Sequence, residues 1–279
     1  MSRHPVFSTL WYGINTLAAL CLLALIYGIG WEFHTVSYLR GFSDAVVPAS
    51  SSPEQKVESI LDWMARGPAR RSTADAASFS LRDPENTLNY RELLEVCGTA
   101  TNAFVNLASS SGLKARRLLL LSPNRSAKHV VSEVWLGDRW VIVDSSYRTL
   151  FRDAQGEFVT KEQLRDREIF QEVTGALPNY PPSYTYESTA IVRLAAIPGF
   201  GPALRGILDR TFPGWEQQFG WTLLLERESL ALTVAASLLL FGLIVVRFLL
   251  GRYGTRRLGI ARTPLREQVR RIGGAVPTR

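Results

Sequence analysis

The sequence predicts two membrane-crossing helices flanking a mixed helix-and-hairpin domain, on three observations. Two uncharged apolar runs stand near the two ends of the chain, residues 10–31 and residues 229–246. Between them, helical apolar spacing gives way after Gly112 to strand-like sequence interrupted by a tight Gly-Asp pair. A strongly basic tail follows the second run.

The first run, "LWYGINTLAALCLLALIYGIGW", is long enough to cross a hydrocarbon core of about 30 Å as a helix. Trp11, Tyr12, Tyr27 and Trp31 sit at its ends, where interfacial aromatics belong. A cleavable signal peptide is the competing reading, with Gly28 and Gly30 as a small-x-small site. The apolar stretch exceeds the ~7–15 residues usual for a signal, which favours a retained anchor. The second run, "SLALTVAASLLLFGLIVV", is followed by Arg247. From residue 252 onward eight arginines against one glutamate give the tail +7, equal to the net charge of the whole chain. A basic excess confined to a juxtamembrane segment fits retention on the cytoplasmic side and attraction to anionic lipid, so no nucleic-acid partner is expected. Both termini are then expected in the cytoplasm, with the intervening domain outside, in the periplasm of a bacterium.

The expected organisation is residues 1–9 cytoplasmic, 10–31 a span, 32–52 a linker, 53–175 the folded domain, 176–228 a membrane-proximal extension, 229–250 a span and 251–279 the tail. Ser52-Pro53-Glu54-Gln55 provides an N-cap, Pro at the first helical position and Gln at the third, with Val57, Ile60, Leu61 and Met64 as the apolar stripe that follows. Residues 67–86 read as loop. A second helical pattern covers residues 90–108 and ends at "SSSG". Residues 113–121 read as a strand, residues 160–173 as a short helix capped by Thr160, and residues 190–208 as an apolar-basic stretch against the membrane surface. The chain has two cysteines. Cys21 lies inside the first span, so Cys97 is a lone thiol in an oxidising compartment, either buried and inert or reactive.

"KHVVSEVWLGDRWVIVD", residues 128–144, carries a His and an Asp in otherwise apolar sequence. Gly137-Asp138 suits a type II′ hairpin turn. With that turn, residue 136 faces 139 and residue 131 faces 144. Alternation then puts His129, Val131, Glu133 and Trp135 on one face with Trp140, Ile142 and Asp144. His129 and Asp144 become diagonal neighbours with Cβ atoms about 7–8 Å apart, within side-chain reach. A carboxylate there holds one ring nitrogen and leaves the other available as a base. A satisfied core hydrogen bond is the plain alternative. Cys97 tips the balance, because a thiol beside an imidazole becomes a strong nucleophile, the more so at a helix N-terminus. "NYRELLEV" before it is itself helical in pattern, with Asn89 and Glu92 fit for a capping box, so the pattern allows one unbroken helix or a break just before Cys97. The break is expected.

"VCGTATNAFVNLASSSGLKARRL", "HVVSEVW" and "WVIVDSSY" together resemble the ordered blocks of the transglutaminase-like superfamily, over about residues 53–147. The resemblance implies a papain-like α+β core, a helix carrying the Cys packed on an antiparallel sheet, in a membrane-anchored bacterial member. It implies Cys97 as nucleophile, His129 as general base and then acid, and Asp144 as orienting carboxylate. Acyl transfer on a peptide, protein or envelope amide through a thioester would follow, with an oxyanion hole formed by the Cys97 N–H and an upstream donor, Asn89 or Tyr90. Two positions depart from the family pattern: Glu95-Val96 stands where a Gly commonly precedes the Cys, and Val131 where an aromatic commonly follows the His. Glu133 is expected to support the fold or brace the site rather than take a proton, Arg116 and Arg117 to divide between a salt bridge and solvent, and Arg125 and Lys128 to line a cleft or a solvated rim. One Cys and one well-placed His do not suggest a metal site, and no Gly-rich phosphate loop suggests a cofactor. A non-catalytic peptide- or glycan-binding module of an envelope or exopolysaccharide assembly system is the alternative function.

Overall fold

The computed structural model describes residues 5–67, 82–192, 201–218 and 221–259. Most of the 67–86 loop, residues 193–200 of the apolar-basic stretch and the tail beyond Gly259 lie outside the described residues. The chain divides into two units, one comprising Met1–Gly28 with Leu232–Arg279, the other Ile29–Ala231.

Two helices, α1 (Pro5–Val46) and α10 (Glu228–Arg257), are long and apolar enough to cross a membrane, and the first unit holds α1 up to Gly28 and α10 from Leu232. They pair antiparallel. A Cβ added to Gly28 would lie 2.8 Å from the Thr233 hydroxyl, and one added to Gly254 would meet the ring of Phe7 at 2.6 Å. Glycine at both places lets the backbones approach, as small residues do where apolar helices pack. Arg247 donates to the Asn15 side-chain carbonyl at 2.7 Å and lies 5.2 Å over the Trp11 ring.

Residues 32–46 are not linker, contrary to expectation, since α1 continues through them. Nothing there breaks a helix except the single Gly41, at a cost of about 1 kcal/mol. Leu39 and Phe42, which belong to the second unit, offset it by joining that unit's core, Phe42 edge-on to Trp63 at 4.9 Å. α10 likewise runs beyond residue 250, through Arg252, Arg256 and Arg257.

In the second unit, α2 (Pro53–Arg66) begins as the sequence indicates, with a capping box between Ser52 and Gln55 and the stripe Val57, Ile60, Leu61 and Met64 buried. Two short helices follow, α3 (Pro84–Asn89) capped by Asp83 and α4 (Arg91–Glu95), then α5 (Cys97–Ser110). The sheet is antiparallel, in the order β4-β3-β2-β1-β5. Its strands are β1 (Ala115–Leu121), β2 (Ala127–Leu136), β3 (Arg139–Asp144), β4 (Thr149–Leu150) and β5 (Thr189–Ala190). A 3₁₀ turn (Gln163–Arg165) precedes α6 (Arg167–Gly175), and α7 (Gly201–Thr211), α8 (Trp215–Gln218) and α9 (Trp221–Glu226) lead to α10. Thr160 exchanges hydrogen bonds with Gln163 ahead of the 3₁₀ turn, while the side chain that caps α6 is Asp166.

The hairpin has the register its turn dictates, from Leu136↔Arg139 to Ser132↔Val143. Gly137 carries φ of 63° and Asp138 has no positive φ, the pattern of a type II′ turn. The two faces of the sheet therefore part cleanly. Val134, Leu136, Val141 and Val143 join α5 and α2 in one core. Val131 and Ile142 join Leu118, Phe151 and Tyr186 in another. The folded domain extends past residue 175: β5 pairs with β1, and Tyr186 and Trp215 are fully buried in the second core.

α5 is buried nearly all round, and its buried Asn102 and Asn106 belong to a network of hydrogen bonds within the protein. Asn102 donates to the Glu226 carbonyl (2.6 Å) and carboxylate (3.0 Å) and accepts from Thr87 (2.9 Å). Arg227 donates to the Asn106 side chain at 2.6 Å and to Glu32 at 3.2 Å, and Ser229 reaches the same carboxylate at 2.7 Å. Arg117 pairs with Glu226 rather than facing solvent, and Arg116 pairs with buried Glu133 at 2.7 Å while lying 4.0 Å over the Trp140 ring.

Candidate active site

The helical pattern does break before Cys97. Val96 is extended (φ −92°, ψ 128°), so α5 starts afresh at Cys97 and its first N–H groups have no partner within the helix. Thr101 ties this end of α5 to β2 by donating to the Val130 carbonyl at 3.1 Å. The Cys97 side chain, half-buried, packs on Leu119, Leu121, Val130 and Ala190.

β2 reaches the same place through a bulge. Leu120 faces His129 but Leu121 faces Ala127, so Lys128 is the extra residue immediately before the histidine. Such an insertion bends a strand and re-aims the adjoining side chain. His129, 2% exposed, hydrogen-bonds through Nε2 to Oδ2 of the fully buried Asp144 at 2.7 Å. The other nitrogen, Nδ1, is buried and makes no regular hydrogen bond. It is the nitrogen left for Cys97, whose thiol interacts with the imidazole.

The Asp144 carboxylate is held from all sides. Oδ1 accepts from the Ser146 N–H (3.1 Å), the Ser146 hydroxyl (2.7 Å) and the Tyr147 N–H (3.2 Å). Oδ2 accepts from the Tyr180 hydroxyl at 3.2 Å besides His129. Tyrosine rings surround the imidazole: Tyr184 stacks on it at 4.2 Å with planes 8° apart, and Tyr147 and Tyr180 meet it edge-on at 6.2 and 6.3 Å.

The electrostatics follow from these contacts. Burial works against a charged His129, but the hydrogen bond to Asp144 and the attraction of the Cys97 thiol outweigh it and push the imidazole up to about 9. The neighbouring His129 imidazole lowers the Cys97 thiol against the opposing effect of burial, and the backbone N–H groups of Val130 and Gly98 help. Burial first, and then the neighbouring Tyr186 phenol and Asp144 carboxylate, raise the Tyr180 phenol far above its ordinary range, which keeps it a donor to Asp144.

The remaining residues singled out by sequence lie as follows. Glu133 shares its face of the sheet with His129 but binds Arg116, with Lys161 3.7 Å away. Asn89 donates its amide to the Tyr38 hydroxyl (3.0 Å) and the Glu85 carbonyl (2.7 Å). Tyr90 is buried at the joint between α3 and α4, its N–H donating to Asn86 and its carbonyl accepting from Leu93. Lys128 donates to the Ser183 carbonyl at 3.3 Å, and Arg125 occupies the β1–β2 loop at φ of 61°. Among the described residues, no group of three or more His, Cys, Asp or Glu is placed to hold a metal ion.

Sequence reasoning missed Tyr180 and Tyr184, which come from the irregular segment "NYPPSYTYE". The signal was its three tyrosines among prolines, a rigid aromatic run of a kind that surface loops rarely need. It missed Arg148 too, which donates to the Leu94 and Ser145 carbonyls.

Residues 40–145 match the family model of the transglutaminase-like superfamily. The match takes in the part of the domain from the end of α1 to the last residue of β3 and one beyond. No curated protein and no solved structure matches the chain. The mixed architecture, with Cys97 opening a helix against an antiparallel sheet that carries His129 and Asp144, agrees with that match, which finds a transglutaminase-like superfamily domain at residues 40–145.

Proposed function

We propose that this protein is a membrane-tethered cysteine hydrolase or acyltransferase acting on amide bonds of peptides, proteins or envelope polymers. The observation that carries this reading is the buried His129, fixed to Asp144 through one nitrogen and facing the Cys97 thiol at the head of α5. In this reading the Cys97 thiolate attacks the amide carbonyl carbon, forming the C–S bond, and the carbonyl π electrons move to oxygen. The Cys97 backbone N–H, unpartnered within α5, stabilises the oxyanion. Collapse of this intermediate breaks the C–N bond, and the imidazolium of His129 gives its proton to the leaving amine. Water or a second amine, deprotonated by His129, then opens the thioester and releases the thiolate. Asp144 holds the ring orientation throughout. Asn89 would have to surrender its bonds to Tyr38 and Glu85 to serve as the second oxyanion donor.

The two apolar helices support tethering, with both termini cytoplasmic and the domain on the far side of the membrane. Trapping with a library of electrophilic acyl probes on membranes tests the reading. Wild-type protein is expected to form a covalent adduct at Cys97 that Cys97→Ala lacks. Equal labelling of the two, at sites other than Cys97, would contradict it.

A further inference from the structure

The head of α5 is free only because the chain breaks at Val96, and no glycine makes that break. Ending α4 at Glu95 strips its last carbonyls of the N–H groups that a continuous helix would bring, and a buried carbonyl needs a donor. The structure supplies them from elsewhere. The Thr99 hydroxyl donates to the Leu93 carbonyl, and the Ala100 N–H donates to the Val96 carbonyl at 2.8 Å. The Leu94 carbonyl takes the Arg148 guanidinium. The same guanidinium donates to the carbonyl of Ser145, the residue after Asp144.

Arg148 thus joins the turn that presents the nucleophile to the strand end that presents the carboxylate. It does so from the left-handed region, φ of 55°, which disfavours a side chain with a Cβ. Burial acts against its charge, opposed by Glu95 and Asp144. A planar fork with donors on two nitrogens can reach two carbonyls of different elements at once, and an ammonium on a single stem replaces it poorly.

We propose that Arg148 is a positioning residue for the Cys97–His129 pair. By clamping the Leu94 and Ser145 carbonyls it holds the break at Val96 open and keeps the thiol against the imidazole. This rests on reading Cys97, His129 and Asp144 as the working set.

The test is the pH dependence of Cys97 alkylation by iodoacetamide, on the full chain in detergent, with Cys21→Ser making Cys97 the sole thiol. Arg148→Gly removes the clamp at a backbone conformation glycine adopts without strain, and Arg148→Lys keeps the charge without the fork. Thermal unfolding is followed alongside. In Arg148→Gly the alkylation midpoint is expected to rise by about one pH unit or more, towards that of a free thiol near 8.5. Arg148→Lys should fall between, and methylguanidinium added to Arg148→Gly should move the midpoint back down. Folded Gly and Lys variants that both keep the wild-type midpoint overturn the proposal and leave the catalytic reading standing. Should Arg148→Gly not fold, a wild-type midpoint in folded Arg148→Lys overturns it equally. A wild-type midpoint already near that of a free thiol overturns the catalytic reading itself, and this proposal with it.

Discussion

At the residue scale, His129 and Asp144 were legible because strand geometry is periodic and the Gly137-Asp138 turn fixes its phase. Once residue 136 faces 139, the two side chains have no choice of face. Tyr180, Tyr184 and Arg148 were not legible, because their places depend on where loops return in space, and no local period encodes a return. The imidazole makes a definite prediction about stability. Its folded pKa, about 9, lies above the ordinary 6.5, so between those values the folded chain holds a proton that the unfolded chain has lost. That contribution is fully present below about pH 6.5 and disappears as pH rises through about 9. The lowered Cys97 thiol acts in the opposite sense, so Cys97→Ala shows the effect most simply. In that variant the melting temperature should fall as pH rises above 6.5, ending below the wild-type limit because Cys97 no longer helps hold the proton. Adding Asp144→Asn should abolish the fall, since burial alone disfavours the charged ring. Tyr180→Phe removes one donor from a buried carboxylate and should cost about 1.5–3 kcal/mol of stability in denaturant unfolding.

At the element scale, the capped start of α2 and the hairpin register follow from short-range rules, and both stand in the structure as the sequence implies. The break between α4 and α5 has a different origin. "RELLEVCGTA" is helical by pattern, and the carbonyls left at Leu93 and Leu94 are bound by Thr99 and Arg148. The latter donor stands 54 residues along the chain. Residues 32–46 depart from the linker expectation for a similar reason: Leu39 and Phe42 find a core that their own sequence does not announce. Two substitutions probe these elements. Gly137→Ala forces a Cβ into φ of 63° and should destabilise the hairpin by about 1–2 kcal/mol. Arg227→Met leaves Glu32 and Asn106 without their buried partner and should cost about 3–5 kcal/mol. Thermal unfolding of each variant in detergent checks both.

At the scale of the whole molecule, composition exposed the two apolar helices at once, whereas the limits of the folded domain emerged only in three dimensions. Residues 176–192 looked like an extension, yet they supply a fifth strand and two of the three tyrosines around His129. The proposed topology puts Cys97 outside the cytoplasm, so a membrane-impermeant maleimide should label it in intact spheroplasts without detergent. Labelling only after lysis would place the domain on the other side. The pairing of thiol and imidazole is tested most directly by the rate of Cys97 alkylation across pH, in wild type and in His129→Ala. Wild-type Cys97 should react as a thiolate well below about pH 8.5, and His129→Ala should lose that advantage. Identical profiles for the two proteins, both with the midpoint of a free thiol, would contradict the pairing.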